Sequence, residues 1–334
     1  MSQLTSLLTI KDLKVEFHTN KKTIHAVNGI SFHLNKGEVI GIVGESGSGK
    51  SVTAASILKL IPSPPGEIMG EILYKGHDLV KYKEKDMRKI RGNEISMIFQ
   101  DPMTSLNPAY TVGNQLVEAI RLHKKISKKD AIRQAVELLQ VVGIHEAEKR
   151  LNMYPHQFSG GMRQRVMIAI ALAGNPSLLI ADEPTTALDV TVQSQIMKLM
   201  KQLQLKFNAS IILITHDLGV VWEMCDKVIV MYAGQALEEA SVKELYDHPY
   251  HPYTWGLFDS QIIRKTNTKK PLHVIPGNPP DLSQPIKGCP FAERCPYAQD
   301  ICFTEKPELV EKVDGHKVAC HFQTKSESLS RKEG

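Results

Sequence analysis

Gly44-Glu45-Ser46-Gly47-Ser48-Gly49-Lys50-Ser51 decides how this chain is read. The eight residues fit G-x-x-x-x-G-K-[ST], a loop whose backbone amides cradle phosphates. Glu38-Val39-Ile40-Gly41-Ile42-Val43 before it reads as a short apolar strand, and the run from Val52 to Leu60 after it reads as a helix. A strand that delivers the loop and a helix that starts at its end place successive N–H groups and the positive end of the helix dipole on one anion. Gly44, Gly47 and Gly49 keep side chains out of that nest. Glu45, Ser46 and Ser48 complete the candidate nucleotide-binding loop. Lys50 is expected to reach the β- and γ-phosphates, and the Ser51 hydroxyl to bind Mg²⁺.

Other stretches supply the remaining parts of phosphoryl transfer. Leu178-Leu179-Ile180-Ala181-Asp182-Glu183 is an apolar run ending in two acids, as in a buried parallel strand with chemistry at its tip. Asp182 is the candidate Mg²⁺ holder and Glu183 the candidate general base. Phe158-Ser159-Gly160-Gly161-Met162-Arg163-Gln164-Arg165 reads as a second helix start, with Ser159 at the N-cap and two glycines that permit close approach to a phosphate. The helix that follows, Val166 to Ala173, is apolar nearly all round and is expected to be buried. Ile95-Ser96-Met97-Ile98-Phe99 and Ile211-Ile212-Leu213-Ile214 are two more apolar strand patterns, followed by Gln100 and by Thr215-His216-Asp217.

Ser159-Gly160-Gly161-x-x-Gln164-Arg165 resembles the signature sequence of the ATP-binding-cassette (ABC) ATPases. Gln100 resembles that family's Q-loop, Ala187-Leu188-Asp189 its D-loop and His216 its switch histidine, all in the family's order. The resemblance implies an α/β fold of the P-loop NTPase, ABC-ATPase type, ATP with Mg²⁺ held through Ser51, Gln100 and Asp182, and catalysis by Glu183 and His216. It also implies two ATPase subunits facing head to tail. Ser159, Gly160, Gly161 and Gln164 of one would then close on the ATP held by the loop of the other, with Asp189 in the D-loop between them. Phe17 aligns with the aromatic that stacks on adenine, although Leu13-Val15-Phe17 is also a plain strand alternation.

Composition agrees. The chain has 334 residues, 42% hydrophobic and 6% aromatic, enough for one large domain or two. A formal net charge of +5 is mildly basic and calls for no nucleic-acid partner. The first eight residues lack the basic and apolar regions of a signal peptide. The longest apolar stretch, around Val166–Ala181, is broken by Gly174, Asn175 and Pro176 and falls short of the ~20 residues of a membrane span. A cytoplasmic protein that meets a membrane only through other subunits is expected.

Three regions precede the tail. Residues 4–112 alternate strands and short helices, with Ile24, Ala26, Ile30, Phe32 and Leu34 on the period-2 face of an antiparallel β-subdomain. A helical subdomain is expected over about 113–173, with Ile132, Ala135, Val136, Leu139 and Val142 at helical spacing and Gly143 as the stop. The chain then returns to strand–helix alternation, for an ATPase domain over 4–247. Phe99–Asn107, with Pro102 and Pro108 close by, reads as a loop; in the family this neighbourhood receives the coupling helix of a membrane subunit.

Residues 248–322 form a separate extension, and 323–334 a polar, disordered tail. Cys289, Cys295, Cys302 and Cys320 lie within 32 residues as C-x₅-C-x₆-C-x₁₇-C. Clustered cysteines in a cytosolic chain point to metal, either zinc or iron–sulfur, although zinc's usual C-x₂₋₄-C knuckle does not occur. His316 and His321 are secondary candidates, and Cys225 reads as a small buried hydrophobe in an apolar helix. His248-Pro249-Tyr250 with His251-Pro252-Tyr253-Thr254, Pro276-Gly277-Asn278-Pro279-Pro280-Asp281-Leu282 and Gly288-Cys289-Pro290-Phe291-Ala292-Glu293-Arg294-Cys295-Pro296 resemble the C-terminal extension of oligopeptide and dipeptide importer ATPases. That resemblance implies an ATPase energising peptide import on the cytoplasmic side of a bacterial membrane. Its implied partners are a second, homologous ATPase, two transmembrane permeases and an extracytoplasmic peptide-binding protein. It also implies a [4Fe–4S] cluster on the four cysteines, with Zn²⁺ as the alternative. Nickel-type importer ATPases are a rival within the class, though they generally lack the long tail. A soluble ABC ATPase acting on nucleic acid is a rival outside it, without the tandem cassettes or basic patches it would need.

Overall fold

The computed structural model describes residues 6–101, 105–186, 188–260 and 274–331. Pro102 of the loop beside Gln100 and Ala187 of the Ala-Leu-Asp segment lie outside the described residues. The strands are β1 (Ser6–His18), β2 (Thr23–Asn35), β3 (Val39–Val43), β4 (Gly66–Tyr74), β5 (His77–Asp78), β6 (Ile95–Ile98), β7 (Leu178–Asp182), β8 (Ser210–Ile214), β9 (Lys227–Tyr232), β10 (Gln235–Ser241), β11 (Val310–Val313) and β12 (His316–Val318). The helices are α1 (Lys50–Ile57), α2 (Glu84–Ile90), α3 (Val112–His123), α4 (Lys128–Val141), α5 (Ala147–Arg150), α6 (Gly160–Leu172), α7 (Val190–Phe207), α8 (Leu218–Met224), α9 (Val242–Asp247), α10 (Pro252–Asp259) and α11 (Asp300–Thr304).

The chain divides into two compact units, neither continuous in sequence. The first takes the start of the chain, Leu34–Val39 and Lys81–Thr215. Its strands β6, β7 and β8 pair in parallel, with Ile98 opposite Ala181 and Asp182 opposite Ile214. Every residue of β7 and β8 is buried, which suits strands covered on both faces. Its helical part runs from α3 to α6. Thr111 and Ser127 cap α3 and α4 by accepting from the amides of Asn114 and Asp130. Gly143, with φ 77°, ends the second of these helices as expected. Of the expected face of α4, Ala135, Leu139 and Val142 are buried and Val136 is half-buried, but Ile132 is exposed and Ala131 takes the inward position instead.

The second unit takes Thr9–His33, Ile40–Val80 and the chain from His216 onward. Here β1, β2, β4 and β5 form a four-stranded sheet in the order β2-β1-β4-β5, with Ala26, Val27, Ile30 and Phe32 buried. In its other sheet β3 lies parallel to β9, and β9, β10, β12 and β11 follow as antiparallel neighbours. The last two strands belong to the C-terminal extension, which therefore continues the sheet. Cys225 is buried at the end of α8, as read from sequence.

The extension is fastened by one buried acid. Glu238 of β10 is fully buried and accepts from the amides of Tyr250 (2.6 Å) and His251 (3.0 Å), from the Thr254 hydroxyl and from His316 Nε2 (2.8 Å). The first residues of the tail lie around Lys312, whose three N–H donors are shared among Gln323 Oε1, the carbonyls of Thr324 and Glu327 and the Ser328 hydroxyl. Residues 332–334 lie outside the described residues.

Candidate functional site

In the second unit the fully buried β3 runs into the glycine-rich loop. Gly44 has φ 151°, and a Cβ there would fall 2.1 Å from the Met231 carbonyl oxygen of β9. Gly49 has φ 96°, and a Cβ there would fall 2.6 Å from the Ala26 carbonyl oxygen. Both positions exclude side chains by backbone contact, which fixes the path of the loop. Gly49 is also the N-cap of α1 and supplies no side-chain cap. The start of that helix, with its positive dipole end, therefore opens directly from the glycine-rich loop with no side chain capping it. Lys50 is 5% exposed; its ammonium donates to the carbonyls of Gly44 and Glu45, both at 2.8 Å, and reaches the Ser48 hydroxyl at 3.4 Å. The Ser51 side chain is exposed beside it.

Glu45 is held from outside the loop. Its amide donates to the Tyr253 hydroxyl at 2.8 Å, and its carboxylate takes a two-pronged ion pair from Arg294 at 2.6 and 3.1 Å. The Glu45 side chain therefore faces the C-terminal extension, and its amide is taken by Tyr253. Burial pushes the Tyr253 hydroxyl well above the usual phenol range, so it stays protonated and neutral. Hydrogen bonding to Glu45 holds the Arg294 guanidinium firmly charged. Phe17 is half-buried near the end of β1, and His216 is exposed just before α8, which Asp217 caps by accepting from the amides of Gly219 and Val220.

In the first unit Asp182 closes β7 and is 7% exposed. Glu183 follows in a left-handed conformation, φ 46°, with its amide donating to the Ile214 carbonyl at 2.9 Å. A non-glycine residue in that region is strained, and the β7–β8 pairing holds it there. Its carboxylate Oε2 accepts from Gln100 Nε2 and from the Thr186 hydroxyl, both at 2.8 Å. The structure thus joins Gln100 and Glu183, 83 residues apart, and adds Thr186, which no sequence pattern had singled out.

Ser159 caps α6 by accepting from the Met162 amide at 3.4 Å, and Ser159 and Gly160 are exposed. A Cβ on Gly161 would fall 2.7 Å from Val192 Cγ1 of α7, so this glycine serves helix packing. Gln164 is 1% exposed and points into the protein, its Nε2 without a hydrogen-bond partner among the described residues. It is set apart from the exposed helix start that Ser159 and Gly160 form. Asp189 caps α7, accepting from the amides of Thr191 and Val192 at 3.0 Å each.

The sulfurs converge in the second unit. Cys289, Cys295, Cys302 and Cys320 line one small apolar cavity and form no disulfide. Burial, followed by the proximity of the other cysteines, pushes the Cys289 thiol up to about 12 and that of Cys295 to about 11, and raises Cys320 in the same direction. Among the described residues no group of three or more His, Cys, Asp or Glu side chains is close enough to hold a single metal ion. Four thiols around one cavity do match in kind and number the ligands of an iron–sulfur cluster, which binds each sulfur at a different corner. His316 is turned to Glu238, and His321 Nε2 lies 2.9 Å from the Glu305 carbonyl.

A phosphate loop ahead of a capless helix and a strand-tip Asp-Glu pair tied to a glutamine define a P-loop ATPase of the cassette type. The family model "ABC transporter" matches residues 27–186, and "Oligopeptide/dipeptide transporter, C-terminal region" matches 237–302. Over 95% of its length the chain is 56% identical to the oligopeptide transport ATP-binding protein OppD of Bacillus subtilis (strain 168), covering 89% of that protein. It is 51% identical to the dipeptide transport ATP-binding protein DppD of the same organism, with 96% of each covered, and 51% identical to OppD of Escherichia coli (strain K12), with 95% and 94% covered. Among solved structures it resembles the dimeric ATP-binding cassette MJ0796 bound to ADP and Pi (TM-score 0.63, 28% identity, 70% of this chain and 98% of that one). The chain belongs to the family of oligopeptide/dipeptide transport ATP-binding proteins, and it is an ATPase. Among the described residues no helix is long and apolar enough to cross a membrane.

Proposed function

We propose that this ATPase energises uptake of oligopeptides or dipeptides, as a peripheral subunit on the cytoplasmic face of a membrane. The observation that carries the reading is the C-terminal region matched at 237–302, which sets peptide-transporter ATPases apart from the many other cassettes. Its partners are a second, homologous ATPase, two permeases and an extracytoplasmic peptide-binding protein.

Residues 44–51 hold the triphosphate through backbone amides, with Lys50 moving from the loop's own carbonyls to the β- and γ-phosphates. Ser51, Asp182 and Gln100 would hold Mg²⁺, which would neutralise charge on the phosphates. Glu183, oriented by Gln100 and Thr186, takes a proton from the attacking water, and His216 steadies the γ-phosphate. The exposed start of α6 at Ser159 and Gly160 closes over the partner's nucleotide, with Asp189 in the seam. Phe17 stacks on adenine.

The four cysteines would hold a [4Fe–4S] cluster, whose chemistry there is to cross-link the loops that carry them. Anaerobic purification should give about four irons and acid-labile sulfides per chain; stoichiometric zinc without sulfide is the opposite result. Transport is tested with the assembled complex in proteoliposomes. Peptide-loaded binding protein should raise ATP hydrolysis and drive peptide inward, and a complex stimulated by nickel but not by peptides would refute the substrate class.

A further inference from the structure

Arg294 ties the cysteine-bearing loop to the phosphate loop. It ends the short turn Ala292–Arg294 between Cys289 and Cys295. Its guanidinium has five N–H donors and each has an acceptor: two go to the Glu45 carboxylate, one to the Tyr232 hydroxyl (3.0 Å), one to the Ile275 carbonyl (3.2 Å) and one to the Pro276 carbonyl (2.9 Å). The side chain is 5% exposed and packs over the rings of Tyr232 and Phe291. A buried, saturated fork of this kind has one position, and lysine cannot reproduce it.

The other end of the contact is mechanically placed. Glu45 is gripped at its carboxylate by Arg294 and at its amide by Tyr253, and its carbonyl is one of the two that seat the Lys50 ammonium. Tyr253 in turn packs on Tyr232 and Phe291, next to the turn that carries Arg294. A shift of residues 289–295 therefore reaches the seat of Lys50 through one residue.

We propose that Arg294 and Tyr253 are positioning residues for ATP, and that through them nucleotide affinity and the order of the cysteine-bearing loop depend on each other. The inference rests on residues 44–51 being the ATP site, and it holds whether the sulfurs carry a cluster or remain thiols. If Arg294 merely docked the extension, its removal would lower stability and leave ATP affinity alone.

The test uses the full-length chain and a fluorescent ATP analogue. Arg294→Gln should weaken binding about tenfold, within the usual span of coupling between sites. Arg294→Lys should not restore it. Glu45→Gln should weaken binding similarly, and the double variant should bind no worse than either single one, because both act through one bond pair. Linkage requires the reciprocal effect: ATP should slow amide hydrogen exchange over residues 288–296 in the parent chain and not in Arg294→Gln. Tyr253→Phe, which keeps the ring and removes only the acceptor for the Glu45 amide, carries the same test should Arg294→Gln fail to fold. Parent-like affinity in Arg294→Gln or in a folded Tyr253→Phe, or fully additive losses in the double variant, overturns the inference. Lys50→Ala separates the two levels: if it loses ATP while Arg294→Gln does not, the loop reading stands and the coupling falls; if it too binds ATP normally, the loop reading itself fails.

Discussion

Replacing Glu238 by alanine should loosen the whole C-terminal extension. Four donors converge on this one buried carboxylate: the amides of Tyr250 and His251, the Thr254 hydroxyl and His316 Nε2. All belong to the extension, whereas Glu238 lies on β10. Each buried donor left without a partner costs about 1–3 kcal/mol, so four give an upper bound near 12 kcal/mol before relaxation. Water entering the gap and the end of α10 fraying would recover part of that. With that recovery the expected net cost is about 3–5 kcal/mol. A cooperative unit of 150–250 residues loses about 2–4 °C of Tm per kcal/mol. Calorimetry should therefore show a fall of at least about 6 °C, with new proteolytic cleavage in residues 248–322. Glu238→Gln should fall between the two, because its amide group presents donors where only acceptors fit. His316→Ala should add little on top of Glu238→Ala, since both remove the same bond. A fall below about 2 °C for Glu238→Ala would refute the view that this acid fastens the extension.

Glu183→Gln should slow hydrolysis by about 10²–10⁴, the usual worth of a positioned general base, with ATP still bound; turnover assays with parallel binding check both halves. Gly49→Ala must place a methyl 2.6 Å from the Ala26 carbonyl oxygen at φ 96°. With left-handed strain alone at about 1–2 kcal/mol, it should lower Tm measurably and weaken ATP binding as well. The His251 imidazole is held neutral by burial, its pKa pushed down to about 3, while its Nδ1 accepts from the Tyr253 amide as the cap of α10. The folded value lies below the unfolded ~6.5, so the unfolded chain takes up the proton first as pH drops. Stability should be full above about pH 6.5 and fall by about 1.4 kcal/mol per pH unit from there toward pH 3. His251→Asn, which can still cap the helix, should flatten that dependence in denaturant titrations at pH 5 and pH 7.

The phosphate loop, the strand-tip acids and the capped start of α6 were legible because each is local: a glycine pattern, an apolar run with its terminator, a Ser before two glycines. What escaped the sequence is what side chains do across long separations. Arg294 and Glu45 stand 249 residues apart, and nothing in their neighbours marks them as a pair. Glu45 itself fits the loop motif at a position where any residue fits, so its side chain could point anywhere. Glu238 sits in a strand where acids were unremarked, and only the fold shows it fully buried. On α4, Ile132 and Ala131 satisfy helical spacing equally well, and hydrophobicity favours the isoleucine. Packing chose the smaller residue, since close helix contact rewards a short side chain more than a large apolar one that cannot fit. Gln164 carried a family pattern, yet its side chain is buried while Ser159 and Gly160 are exposed.

The strain at Glu183 and the grip on Glu45 make one physical point about how such a site is built. A general base must meet its water within a few tenths of an ångström, and a free glutamate has too many rotamers for that. At Glu183 the backbone is forced to φ 46° by the bond to the Ile214 carbonyl, and the carboxylate is then fixed by Gln100 and Thr186. The cost of the conformation is met by β7–β8 pairing that the fold needs in any case. Relieving it should therefore stabilise and disable at once: Glu183→Gly removes the strain and the carboxylate together, while Thr186→Val leaves both in place and frees only the orientation. If hydrolysis falls in Thr186→Val with ATP affinity kept, orientation is a separate contribution of this site; hydrolysis at the parent rate would show that the backbone alone sets the base.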